Sequence, residues 1–338
     1  MPSLSVKYRP NDFNEIVGQE VITKILNQQL QTGKIKNTYL FCGASGCGKT
    51  TAARAFIHRL NNSDNSAIEI DGASNNGVDN VRTIIADAKE RSTSFEYKCF
   101  IIDECHMLST AAWNAFLKCI EEPPKYTIFI FCTTDPQKIP ATILNRCMRF
   151  NFNRIPSSLI KDRLCYICEQ EHFSNYEEAC DYISKICNNQ MRDGIALLEK
   201  VASYDSNISI QNVFEALGNY SYDYMIRLLD YINHKAEGMS LELINELYFS
   251  GADLKLFIDK FLSFCLDVVK YLIIHSFDIT KLPISIKPNI DNILSEYHDI
   301  QYYNNIITLI LDTKNMIKTD SDIKSTIEVM MIRMCSHD

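Results

Sequence analysis

Short, nearly unbroken apolar runs alternate with amphipathic stretches through residues 1–155. The runs at 38–42, 67–70, 97–103, 126–133 and 148–152 predict strands. Cys-Phe-Ile-Ile at 99–102 and Ile-Phe-Ile-Phe-Cys at 128–132 lack polar alternation, which suits parallel strands covered on both faces. Helical spacing fills the intervals at 50–60, 78–90 and 110–121. Strand–helix alternation of this kind predicts an α/β domain built on a parallel sheet. After Pro156 the strand signals fade. Helical patterns at 157–171, 176–188 and 192–204 predict a small bundle, and longer ones follow at 224–234, 240–249, 254–276 and 302–318. The proline-containing stretch 282–289 predicts a loop or kink. No fixed-period repeat and no low-complexity segment interrupts the pattern. The expected division is an α/β domain at 1–156, a small helical domain at 157–218 and an all-α domain at 219–338.

Composition narrows the setting. Apolar residues make up 46% of the 338, enough for substantial cores, and no run reaches the roughly 18 apolar residues of a membrane span. The first ten residues carry Lys7 and Arg9 without an apolar segment, so no secretory signal is expected. Thirteen scattered cysteines in a chain of this length point to reduced thiols and a cytoplasmic setting. The net charge of −8 argues against a simple basic nucleic-acid binder. It is unevenly spread, at net +3 over residues 1–156 and −11 over the rest, as for a protein that meets phosphate with one part only.

The chemistry concentrates at strand ends. Gly43-Ala44-Ser45-Gly46-Cys47-Gly48-Lys49-Thr50 fits G-x-x-x-x-G-K-[ST] between a predicted strand and a predicted helix. Glycines let such a loop turn its N–H groups toward phosphate oxygens, and the following helix start adds partial positive charge. Lys49 is expected on the β- and γ-phosphates, Thr50 on Mg²⁺, and Thr51 beside them. Cys47 reads as a tolerated small residue, with a redox switch as the alternative. Asp103-Glu104 ends the third strand, where open parallel sheets bind ligands. Asp103 is the expected metal partner of Thr50, and Glu104 the general base for the attacking water. The bland alternative is an acidic pair capping a helix. His106 reads as a packing or capping residue.

Thr133 and Thr134 follow the next strand, and either one suits contact with a γ-phosphate or the capping of a turn. Arg146 pairs either inside its own domain or with a neighbour's nucleotide, as an arginine finger does. Arg192 opens a helix, where a cation opposes the dipole, a misfit that points to an anion.

Taken in order, these segments resemble the gamma/tau ATPase subunits of bacterial clamp loaders, relatives of the replication factor C small subunits within the AAA+ class. The resemblance covers about residues 4–218. It rests on Lys7-Tyr8-Arg9-Pro10, Ile16-Val17-Gly18-Gln19-Glu20, the phosphate loop, Glu69-Ile70-Asp71-Gly72-Ala73-Ser74, and Asp103-Glu104-Cys105-His106-Met107-Leu108-Ser109. Glu121-Glu122-Pro123-Pro124, Thr133-Thr134-Asp135-Pro136 and Leu144-Asn145-Arg146-Cys147 complete it.

The resemblance implies ATP and Mg²⁺ as cofactors, with Tyr8, Arg9, Pro10, Val17 and Gly18 bordering the adenine. Gly43, Ser45, Gly46, Cys47, Gly48, Lys49, Thr50 and Thr51 would form the phosphate cradle, with Arg192 as a second sensor from a helical lid. It further implies that Arg146 acts on a neighbouring subunit's ATP, and that Arg82 and Lys118 contact DNA. The implied partners are the other subunits of a pentamer joined by a helical collar, a sliding clamp and primer–template DNA. Asn145 replaces the serine of the family's Ser-Arg-Cys pattern. The family's four-cysteine zinc module has no room between residues 60 and 67, so no zinc is expected, and Cys165-x-x-Cys168 reads as core packing. The chain also stops short of the family's tau extension; the lost module and short length would suit a virus or a reduced genome, and the expected setting is the cytoplasm of a bacterial cell or of a virus's host. Another AAA+ motor, such as a branch-migration helicase, and a non-hydrolysing structural subunit are the competing readings.

Overall fold

The computed structural model describes residues 3–63, 66–217, 222–317 and 322–336. In chain order the elements are α1 (Leu4–Lys7), α2 (Glu20–Thr32), β1 (Thr38–Gly43), α3 (Lys49–Asn61), β2 (Ala67–Asp71), α4 (Val78–Ala88) and β3 (Lys98–Asp103). Next come α5 (Thr110–Glu121), β4 (Thr127–Thr133), α6 (Ala141–Leu144), β5 (Met148–Phe152) and α7 (Ser157–Gln170). The remainder is helical: α8 (Glu177–Ile186), α9 (Met191–Tyr204), α10 (Ile210–Leu217), α11 (Tyr222–Asn233), α12 (Glu237–Phe249), α13 (Leu254–Ile274), α14 (Lys287–Glu296), α15 (Ile300–Ile317) and α16 (Ile323–Ser336). No helix among the described residues is long and apolar enough to cross a membrane.

The five strands form one parallel sheet in the order β2-β3-β4-β1-β5. Its apolar runs divide with period two. Tyr39, Phe41, Ile128, Ile130 and Cys132 join one core, shared with Phe56 of α3 and Leu26 of α2. Leu40, Cys42, Phe129 and Phe131 join the other, with Trp113 and Phe116 of α5. Both faces are therefore covered, as the unbroken apolar runs predict. Because β3, β1 and β4 are parallel neighbours, their carboxyl ends deliver Asp103, the phosphate loop and Thr133 to one edge of the sheet.

By its contacts the chain divides into two compact units, Met1–Glu171 with Cys187–Glu199, and His172–Ile186 with Lys200–Asp338. The segment 157–218 contributes residues to both units. Arg163 of α7 donates to the Tyr8 carbonyl at 2.9 Å, and Met191 at the start of α9 donates to the Gly46 carbonyl at 3.2 Å. Both contacts lie within the sheet unit. In the second unit Tyr182 of α8 meets Phe214 of α10 edge to face at 5.3 Å. The expected boundary at 218/219 and the expected helix end at 318 fall outside the described residues. The second unit has its own core around Phe257, Phe261, Phe264, Tyr303 and Met330. The loop expected at 282–289 is partly a correction: α14 begins at Lys287 with Pro288 in its first turn, where a missing N–H costs nothing.

Candidate active site

The phosphate loop connects the buried strand β1 to α3 by a turn that needs glycine. Gly46 has φ +68°, and a Cβ there would come within 2.9 Å of the Gln190 side chain. At Gly43 a Cβ would stand 2.6 Å from the Phe152 carbonyl oxygen, inside the β1–β5 pairing. Gly43→Ala is therefore expected to destabilise the sheet unit by about 1–3 kcal/mol, since the obstacle is backbone and cannot rotate away; urea denaturation checks this.

Lys49 is buried, and its Nζ donates to the carbonyls of Gly43 and Ala44, both at 2.9 Å. The ammonium thus sits inside the loop's own curve. Thr50 Oγ1 donates to Asp103 Oδ2 at 2.8 Å, and Asp103 Oδ1 accepts the Glu104 N–H at 2.9 Å. Glu104 has φ +44°, a left-handed conformation that costs a residue with a Cβ on the order of 1–2 kcal/mol. Gly72 supports this turn by donating its N–H to the Asp103 carbonyl at 2.8 Å, so close that a Cβ would lie 2.9 Å from the Glu104 carbonyl oxygen. Strain of this kind concentrates where a side chain must be aimed.

A pocket of about 330 Å³ opens beside these groups. Of the residues singled out from the sequence, Tyr8, Arg9, Pro10, Val17, Ser45, Gly46, Cys47, Gly48, Lys49, Thr50, Thr51, Asp103, Glu104 and Arg192 line it. Gly43 and Gly18 stand behind the wall; Gly18, at φ +73°, lets the chain pass close to Ile155 and Leu159. Thr133 and Thr134 do not line the pocket but reach its acidic edge: Thr134 Oγ1 donates to Glu104 Oε2 at 3.2 Å, while buried Thr133 accepts the Asp135 N–H at 3.0 Å.

Several pocket residues were not among the site residues read from the sequence, Arg54, Glu69 and Arg163 among them. Arg54 stands one helical turn beyond Thr50 on α3 and pairs with Glu69 of β2. Arg163 holds the Tyr8 backbone, and the Tyr8 hydroxyl donates to Glu171. Burial, and then the neighbouring Arg54 cation, push the Arg9 guanidinium below its usual value; Glu69 opposes this and Arg192 adds to it. Arg9, Lys49, Arg54, Arg163 and Arg192 line the pocket against Glu15, Glu69, Asp103 and Glu104, a gathering of cations that suits an anion. Burial raises the Cys47 thiol against the pull of Lys49, which leaves the thiolate disfavoured and argues for the packing reading of that residue.

Arg146, Arg82 and Lys118 lie elsewhere. Arg146 pairs with Glu121 at 2.6 Å and donates to the Thr142 carbonyl at 2.6 Å, with its side chain 38% exposed, outside its own chain's pocket. Arg82 pairs with Asp79 on the exposed face of α4, and Lys118 is exposed on α5. Cys168 is buried on α7, facing the core, and no cysteine among the described residues is in a disulfide.

The family model described as DNA polymerase III, delta subunit, matches residues 61–156. Among curated proteins, DNA polymerase III subunit tau of Bacillus subtilis is 37% identical over 286 residues, 78% of this chain and 51% of that protein. Subunit tau of Escherichia coli is 33% identical over 74% of this chain and 42% of its own length. Subunit gamma/tau of Mycoplasma genitalium is 36% identical over 61% of this chain and 38% of its own. The chain thus spans about half the length, or less, of these relatives. Among solved structures, the RuvB Holliday junction branch migration motor of Thermotoga maritima superposes with a TM-score of 0.53 at 19% identity, over 67% of this chain and 79% of that one. At that identity the likeness is one of fold, a parallel-sheet domain with helices on both faces.

Proposed function

Since this chain belongs, over the residues it matches, to the gamma/tau family of DNA polymerase III subunits, we propose that it is an ATPase motor subunit of a DNA sliding-clamp loader. The observation that carries this reading is the meeting of Lys49, the Thr50–Asp103 pair and Glu104 at one edge of the sheet, beside an arginine-lined pocket. Loop N–H groups, Lys49 and Arg192 suit the phosphates of ATP, and the wall formed by Tyr8, Arg9, Pro10 and Val17 suits its base. Thr50 Oγ1 and Asp103 Oδ2 are hard oxygen ligands of the kind Mg²⁺ takes. Held by these two oxygens, Mg²⁺ would neutralise phosphate charge. Glu104 takes the proton of the attacking water, and Asp103 fixes the backbone from which Glu104 projects.

The wider assignment follows the relatives. Residues 1–156 act as the nucleotide-binding domain, 157–218 as its lid and 219–338 as the collar of a pentamer working in the cytoplasm. Arg146, turned away from its own pocket, serves the ATP of an adjoining subunit. Exposed Arg82 and Lys118 meet the backbone of primer–template DNA. Contacts summed over several mildly basic domains answer the objection raised by the net charge of −8.

Steady-state ATPase measured with and without primed DNA and the cognate clamp tests the proposal. Turnover stimulated by both, and abolished in Lys49→Ala, is expected. Turnover indifferent to DNA and clamp points instead to another AAA+ motor, and an undiminished Lys49→Ala variant refutes the assignment of the site.

A further inference from the structure

A short 3-10 turn, Cys105–Met107, follows Glu104 and folds His106 back beside it. The imidazole is largely buried, at 12% side-chain exposure, with Nδ1 3.2 Å from Glu104 Oε2. The same nitrogen lies 3.3 Å from Thr133 Oγ1. A ring nitrogen presenting a lone pair would repel a carboxylate at that distance, so Nδ1 carries the proton. Thr133 is itself fixed: it is buried at the end of β4, and its Oγ1 accepts the Asp135 N–H. It meets the same ring nitrogen that Glu104 approaches and so fixes where that nitrogen stands.

Glu104 Oε2 therefore accepts the Thr134 hydroxyl at 3.2 Å and lies against the His106 ring, 3.2 Å from Nδ1. A carboxylate held by one oxygen presents the other to its surroundings in a defined direction. We propose that His106 is a positioning residue for Glu104: its ring, anchored by Thr133, holds Oε2 so that Oε1 takes the proton of the attacking water. This rests on the reading of Glu104 as the general base of an ATPase. It assigns His106 a role beyond the packing or capping read from the sequence.

The test compares wild type, Glu104→Gln, His106→Ala and His106→Asn in the same assembly, measuring kcat and KM for ATP and, separately, affinity for a fluorescent non-hydrolysable analogue. Asn places an amide N–H close to where Nδ1–H stands. His106→Ala is expected to lower kcat on the order of tenfold by misaiming the base, with KM and analogue affinity within about twofold. His106→Asn is expected to recover most of the loss. Wild-type kcat in His106→Ala, or an equal loss in His106→Ala and His106→Asn, overturns the proposal, the second outcome meaning that ring volume matters and the donor does not. Full turnover in Glu104→Gln would instead remove the general-base reading beneath it.

Discussion

Glu104→Gln lowers ATP turnover by about 10²- to 10⁴-fold, the usual contribution of a positioned general base, while the protein still binds ATP. The variant keeps the shape of the side chain, and its amide can still meet the Thr134 hydroxyl and the His106 ring that lie within 3.2 Å of Glu104 Oε2. What it loses is the capacity to accept a proton. The backbone of residue 104 is held independently, by the Asp103 carboxylate and by Gly72 against the strand end, so the left-handed turn survives the exchange. Rapid-quench turnover together with equilibrium binding separates the two effects: a fall in kcat without a fall in affinity is expected, and a parallel fall in both would mean that Glu104 serves binding.

Arg146→Ala is the second large effect, and it depends on assembly. An arginine completing a neighbour's site is worth about 10³- to 10⁵-fold in rate. Among the described residues of its own chain the guanidinium engages Glu121 and the Thr142 carbonyl, both near the surface. Half-exposed pairs of this kind add at most about 1 kcal/mol of stability, so the melting temperature of the variant should scarcely move. The expected signature is loss of stimulated turnover in the assembled complex. Mixing Arg146→Ala chains with Lys49→Ala chains, if both enter one assembly, should restore part of it at interfaces that pair an intact pocket with an intact arginine. A variant whose turnover is unchanged in the complex would leave Arg146 as a surface ion pair.

Much of this architecture is written plainly in the chain. Strands buried on both faces must be apolar throughout, so β3 and β4 stand out, and prolines at 123, 124 and 136 bracket β4. The phosphate loop and the acidic pair are legible because each is a local pattern whose chemistry demands neighbouring residues. Arg54, Glu69 and Arg163 carry no such mark: each is a lone charge, and only the folded sheet brings α3, β2 and α7 to one pocket. Arg54 left one usable trace, its four-residue spacing from Thr50, which places both on one helix face. Helix α2 was passed over because it buries only Ile22 and Leu26 and carries a polar run at Asn27-Gln28-Gln29, so its apolar stripe is thin. Pro288 misled for a different reason, being read as a breaker when it occupies the first turn of α14. The shared segment 157–218 could not be apportioned from periodicity, which reports that a helix is amphipathic and not which core it faces.

The pocket wall has a thermodynamic consequence. Its residues come from the chain start, the loop after β1, the end of β3, α7 and the beginning of α9, with Tyr8 fastened to Arg163 and Glu171 across more than a hundred and fifty positions. No fragment of the sheet unit holds enough of the wall to bind a nucleotide alone. Affinity for the nucleotide is then a property of the completed fold, and by linkage a saturating ligand acts on folding itself. At a hundredfold excess over its dissociation constant it adds about 2.7 kcal/mol to stability, a sizeable share of the margin by which a domain of this size stays folded.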